Sequence, residues 1–155
     1  MAADQTDELR RIMQRFFRRF GALAADSTPC GKPLSVAHAH ALMVLLTKGE
    51  LSQRELGAEL CIDKSNVARL CAKMVDAGHV KQRPSKEDGR SRRVSLTARG
   101  ERLAREVDDA SRARFGSLLT GLPEARRDHV IEALQQLVAA LDSVPAVLVD
   151  ERTSE

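Results

Sequence analysis

Over residues 64–97 the hydrophobic period of the chain changes from helical to alternating, which few folds accommodate. Val67, Leu70, Cys71, Met74 and Val75 recur at i, i+3, i+4, i+7 and i+8, which places an apolar stripe along one side of a helix. Gly78 follows as a natural helix terminator. Beyond it, "HVKQR" and "RVSLT" alternate apolar and polar residues, as short half-buried strands do. Upstream, Ser52 and Glu55 fit a capping box that starts a short helix at Gln53, with Leu56 and Leu60 one turn apart. Ile62-Asp63 interrupts that helix, and Asp63 stands where it can cap the next. The order is helix, tight turn, helix, strand, charged loop, strand, which predicts a winged helix-turn-helix.

Helices are also expected on both sides of this centre. Leu9, Ile12, Met13, Phe16, Phe20 and Leu23 fall at helical spacing between Thr6 and about Ala25. Ser35 is positioned to cap a helix carrying Val36, Ala39, Leu42, Met43 and Leu46, which stops near Lys48-Gly49. Thr97 is placed to cap a helix containing Leu103, Val107, Ala110, Phe115 and Leu118. Pro123 suits the first turn of a last helix, striped by Val130, Ile131, Leu134, Leu137, Val138 and Leu141. The expected class is mainly α with a small β-hairpin, built as one domain over residues 1–155. With 43% hydrophobic residues but only 3% aromatic, the core must be aliphatic.

Charge points to what the centre would bind. From Lys81 to Arg99 seven basic residues face two acids, Glu87 and Asp88, a local net charge of +5 in a chain whose total is +3. With the stripe of the second helix turned inward, its outward face holds Lys64, Ser65, Ala68, Arg69, Ala72, Lys73 and Asp76, with Asn66 at its edge. Such a face is also what an ordinary solvated helix presents. Its coincidence with a helix-turn-helix and a basic hairpin favours a DNA major groove, where Asn and Arg read base edges and Lys neutralises phosphate. Ser52 and Gln53, opening the first helix of the pair, are candidate phosphate contacts.

The same residues resemble a known family. "DGRSRRVSLTARG" is similar to the wing signature of MarR-type (multiple antibiotic resistance regulator) winged-helix transcription factors, with Asp88, Arg90, Val94, Leu96, Thr97 and Gly100 at the pattern positions. "LSQRELGAELCIDKSNVARLCAKMVDAGHV" resembles the family's helix-turn-helix, and the likeness extends to about Leu141. It departs at Cys61, where the family's turn commonly carries glycine; the turn either avoids a left-handed backbone there or strains to accept one.

The resemblance implies a cytoplasmic, nucleoid-associated bacterial or archaeal transcriptional regulator. It would be a repressor bound as a homodimer to a pseudo-palindromic operator and released by a small-molecule effector. Residues of about 50–97 would form the winged helix-turn-helix, those of about 6–25 and 98–141 the dimerisation helices, and 142–155 a tail. Phe16 and Phe20, with Val130, Leu134, Leu137 and Leu141, would supply the apolar dimer surface. The wing would place Arg90 in the minor groove. Asp88 would brace a wing arginine through an ion pair, and one of Arg92 and Arg93 would face the duplex.

The effector class is less constrained. Arg15, Arg18, His38 and His40 are candidates to meet a small anion. Cys30 and Cys61 are candidate redox thiols in a loop and a turn, whereas Cys71 falls on the core stripe as an inert thiol. His38 and His40 are two apart and point in different directions on a helix, which argues against a shared metal, and no cofactor is expected. The alternatives are a redox- or metal-responsive regulator of the same fold, or a winged helix used for protein contact. No nucleophile elbow, phosphate loop or closed metal motif suggests an enzyme. Three cysteines without CxxC spacing, an N-terminus with no apolar run and the lack of a long apolar stretch suggest a reducing cytoplasm with no membrane span.

Overall fold

The computed structural model describes residues 2–145, so all but the first four positions of the expected tail lie outside the described residues. The elements are α1 (Ala2–Phe20), α2 (Val36–Lys48), β1 (Leu51–Ser52), α3 (Gln53–Leu60), α4 (Lys64–Asp76), β2 (Val80–Pro84), β3 (Arg92–Leu96), α5 (Ala98–Thr120) and α6 (Arg127–Ser143). A short 3-10 turn, Glu124–Arg126, follows Pro123 and leads into α6. The described residues fall into two compact units divided between Arg114 and Phe115. No helix among them is long and apolar enough to cross a membrane.

Local signals placed most helix starts. Ser35 Oγ accepts the His38 N–H, Ser52 and Glu55 complete the reciprocal capping box, and Asp63 accepts the Asn66 N–H. Thr97 Oγ1 accepts the Gly100 N–H at 3.0 Å and donates to the Gly78 carbonyl at 2.6 Å. It thereby caps α5 and ties it to the end of α4. The first helix is the exception. It ends at Phe20, short of Ala25, because Gly21 turns the backbone to φ +91°, and Leu23 stands exposed outside it.

The core lies in the first unit. Leu42, Leu45, Leu56, Val67, Leu70, Cys71, Met74, Val80 and Val94 form one buried cluster from α2, α3, α4 and the sheet. The α4 stripe ends at Met74; Val75 is exposed, contrary to the expectation from spacing. The sheet has three strands in the order β1-β3-β2, all antiparallel. The two-residue β1 was not expected. It pairs Leu51 with Val94 and Ser52 with Arg93, and so attaches the hairpin to the start of α3. Its shortness leaves no alternation to detect.

Cys61 accepts the left-handed backbone, at φ +55° and ψ +39°, as the C-cap of α3. Elsewhere the apolar surface is less well covered. In the first unit, α1 exposes Leu9, Ile12, Phe16 and Phe17, with Phe16 stacked on half-buried Phe20. In the second, Leu118, Leu119, Ile131, Leu134, Val138 and Leu141 are exposed, and α6 buries no residue.

Candidate nucleic-acid interface

A groove of about 820 Å³ runs between α3, α4 and the hairpin tip, within the first unit. One wall is α3, presenting Gln53, Arg54 and Ala58. The floor includes Ile62, Val67 and Ala68, and Lys64 stands at the start of α4. The wing supplies Asp88, Arg90, Ser91 and Arg92. Arg54, Lys64, Arg90 and Arg92 are exposed and have no carboxylate partner among the described residues, so the lining is strongly cationic. Arg54 was not among the expected contacts. It became visible only when α3 was seen to form a wall of the groove.

The outward face of α4 is ordered by a chain of hydrogen bonds. Asp63 accepts from the Asn66 backbone N–H at 2.8 Å, Ser65 Oγ at 2.9 Å and Asn66 Nδ2 at 2.7 Å. Those donors, the Asn66 N–H first, hold the Asp63 carboxyl below its usual range. With its Nδ2 engaged, Asn66 presents its carbonyl oxygen to Arg69 Nη2 at 2.8 Å. Lys64, Arg69 and Lys73 are exposed along this face, and Ala68 and Ala72 keep it low.

In the wing, Ser85 N–H donates to the Ser91 carbonyl at 2.8 Å and closes the loop. Asp88 accepts the backbone N–H of Arg90 at 3.0 Å, and no ion pair joins it to an arginine among the described residues. The expected brace is therefore a turn-stabilising contact to backbone, the Asp88 carboxylate being engaged by the Arg90 N–H as aspartates commonly are in tight turns. Arg90 and Arg92 project into solvent, whereas Arg93 turns back to Glu50 and Glu55. Alternation along β3 leaves only one of the adjacent arginines on the outer side.

The two candidate phosphate contacts at α3 are also occupied. Ser52 is buried, with its hydroxyl accepting the Glu55 N–H at 3.0 Å. It lines the groove all the same, and accepting a hydrogen bond in the cap leaves its O–H able to donate. Gln53 Nε2 donates to Gln82 Oε1 at 2.6 Å, joining α3 to β2.

The candidate effector residues do not form a polar cluster. Arg15, Arg18 and His40 are exposed on α1 and α2, while His38 turns to His79, with Nε2 and Nδ1 2.9 Å apart. One ring nitrogen donates and the other must accept, so the contact requires at least one neutral histidine. Burial, then the neighbouring His79, lowers the pKa of His38; burial, then Arg99, lowers that of His79. As pH falls, the unfolded chain takes up these protons first, near pH ~6.5. Stability is therefore full above that pH and declines as pH drops towards the depressed folded values. Thermal melts between pH 7.5 and 5.5 should show a falling Tm in wild type and a flatter profile in His38→Gln. An equal slope in both proteins would remove the pair as its cause.

Cys30 is half-buried in its loop, with Sγ 3.0 Å from Thr28 Oγ1, and Cys61 is exposed. Burial pushes the Cys71 thiol up to about 11. Among the described residues, no group of three or more His, Cys, Asp or Glu side chains is placed to hold a metal ion.

The arrangement has known counterparts. Residues 32–91 match the family model described as MarR family. The chain is 26% identical over 113 residues to the HTH-type transcriptional regulator MT0903.1 of Mycobacterium tuberculosis, covering 73% of this chain and 79% of that protein. It is 31% identical over 126 residues to the exopolysaccharide II synthesis transcriptional activator ExpG of Rhizobium meliloti, covering 77% of this chain but only 62% of that longer protein. The crystal structure of Streptococcus pneumoniae FabT in complex with DNA has a similar fold, with a TM-score of 0.72 at 16% identity, covering 94% of this chain and 100% of that one.

Proposed function

We propose that this chain, whose residues 32–91 match the MarR family model, is a winged-helix transcriptional regulator that binds double-stranded DNA through α4 and the hairpin. The observation that carries this reading is the cationic groove, in which the wing's Arg90 and Arg92 face the same opening as Lys64 at the start of α4. In this reading Asn66 and Arg69 meet base edges, with Lys64, Ser65 and Lys73 beside them. Arg90 enters the adjacent minor groove, Arg92 and Arg54 meet phosphate, and Asp88 shapes the tip.

Two copies would pair through the exposed apolar faces of α1, α5 and α6 and bind a pseudo-palindromic operator as a repressor. A small-molecule effector would release the DNA.

The test is binding to operator fragments selected from genomic DNA, titrated with salt. Affinity should fall steeply as salt rises, because contact with phosphates releases counterions. Arg90→Ala should weaken binding to every duplex, whereas Arg69→Ala should also relax sequence preference, each by about 1–3 kcal/mol. Wild-type affinity in Arg90→Ala would overturn the wing assignment, and no binding to any duplex at low salt would overturn the function. A reporter fused to the selected operator then reads the sign of regulation.

A further inference from the structure

Glu50 stands between α2 and β1 and contacts both strands of the wing, and through Arg93 it is linked to α3. Its carboxylate accepts Arg83 Nη2 at 2.6 Å and Nε at 3.2 Å from β2, and Arg93 Nε at 3.2 Å from β3. Its backbone carbonyl accepts Arg93 Nη2 at 3.2 Å. The same arginine donates through Nη1 to Glu55 Oε2 at 3.2 Å, and that oxygen also takes the Ser52 N–H in the α3 capping box. One connected set of charge-assisted hydrogen bonds thus runs from both strands of the wing to the first turn of α3. The Arg83 guanidinium, engaging both oxygens, holds the Glu50 carboxyl below its usual range.

We propose that Glu50 is a positioning residue for DNA binding: by gripping Arg83 and Arg93 it sets the angle at which the wing stands over the recognition helix. The inference rests on the DNA-binding reading and deepens it. It runs against simple electrostatics. A carboxylate beside a phosphate-binding surface should repel DNA, and its removal should tighten binding and steepen the salt dependence. The geometry argues the reverse. The tip of the wing is exposed, and its closing hydrogen bonds are within the loop itself, so the direction in which Arg90 points is inherited from the base of the hairpin. Loss of the two-oxygen grip releases that base and gives Arg90 and Arg92 a wider range of positions to lose on binding.

The experiment compares full-length wild type, Glu50→Gln, Arg83→Lys and Glu59→Gln on one mixed-sequence 30-base-pair duplex, by fluorescence anisotropy over a salt series. Glu59 pairs with Lys48 away from the wing, so Glu59→Gln reports the effect of losing a carboxylate alone. Arg83→Lys keeps every charge but cannot make the two-pronged contact, and it leaves the α3 cap untouched.

Glu50→Gln and Arg83→Lys should each bind on the order of fivefold more weakly, with a shallower salt dependence, while Glu59→Gln binds as well as wild type or better. Hydrogen exchange at the Ser91 and Arg90 amides should quicken in the first two variants only. Glu50→Gln and Arg83→Lys binding as tightly as wild type would overturn the positioning role and leave the DNA reading standing. Absence of binding by wild type itself would overturn both. If Glu50→Gln does not fold, Arg83→Lys decides the question alone.

Discussion

Gly100→Ala is expected to destabilise the protein by about 3 kcal/mol or more, a loss near the upper end for overpacking. A Cβ at this position would overlap the His79 carbonyl oxygen and stand 2.7 Å from its carbon and 3.0 Å from its Cα. These are backbone atoms and cannot rotate aside. The carbonyl also accepts the Thr97 N–H at 3.0 Å. Relief would require the first turn of α5 to withdraw from the junction of α4 and β2. That movement would pull at the Thr97–Gly78 hydrogen bond and at the His38–His79 contact together. Thermal denaturation should show a Tm lowered by on the order of 10 °C. A melt within a degree or two of wild type would mean that the close approach is relieved at little cost.

Leu56→Ala should have an effect of similar size by the opposite route. Leu56 is fully buried on α3 within the cluster that includes Leu42, Val67 and Val94. Truncation removes its transfer energy and leaves a cavity that helices crossing at a tight turn collapse into poorly, at a cost of about 2–5 kcal/mol. In urea the midpoint should fall with little change in slope, as expected when stability alone is altered. DNA binding should fail together with the fold, since α3 both supports α4 and walls the groove. Retention of a wild-type midpoint would show that the site repacks.

These two positions differ in how legible they were. Leu56 could be assigned to a core from its spacing to Leu60 and its place behind a capping box. Gly100 appeared in the sequence as a position of the wing signature, but its physical reason, a carbonyl pressed against the helix, joins residues 79 and 100 and required the fold. The capping residues Ser35, Ser52, Asp63 and Thr97 were legible because each acts within three residues of itself. The end of α1 was less so. Apolar spacing continued to Leu23, yet Gly21 broke the helix first. Val75 continued the stripe of α4 by period alone, and the packing stopped one residue earlier.

The candidate site shows the same division. Residue order alone established that a short helix, a tight turn and a striped helix precede a basic hairpin, because caps, breakers and hydrophobic period are local. It also determined the surplus of positive charge there. It did not determine which cations stay available to a partner. Arg83 and Arg93 count toward the same surplus as Arg90 and Arg92, yet the fold gives the first two to Glu50 and Glu55 and leaves the others exposed. Glu50 lies more than thirty residues from Arg83 and Arg93, and the pairing of β1 with β3, which sets Ser52 opposite Arg93, spans a similar separation. Pairing across such separations depends on how strands and helices meet, and only the tertiary structure brought those partners within hydrogen-bonding distance.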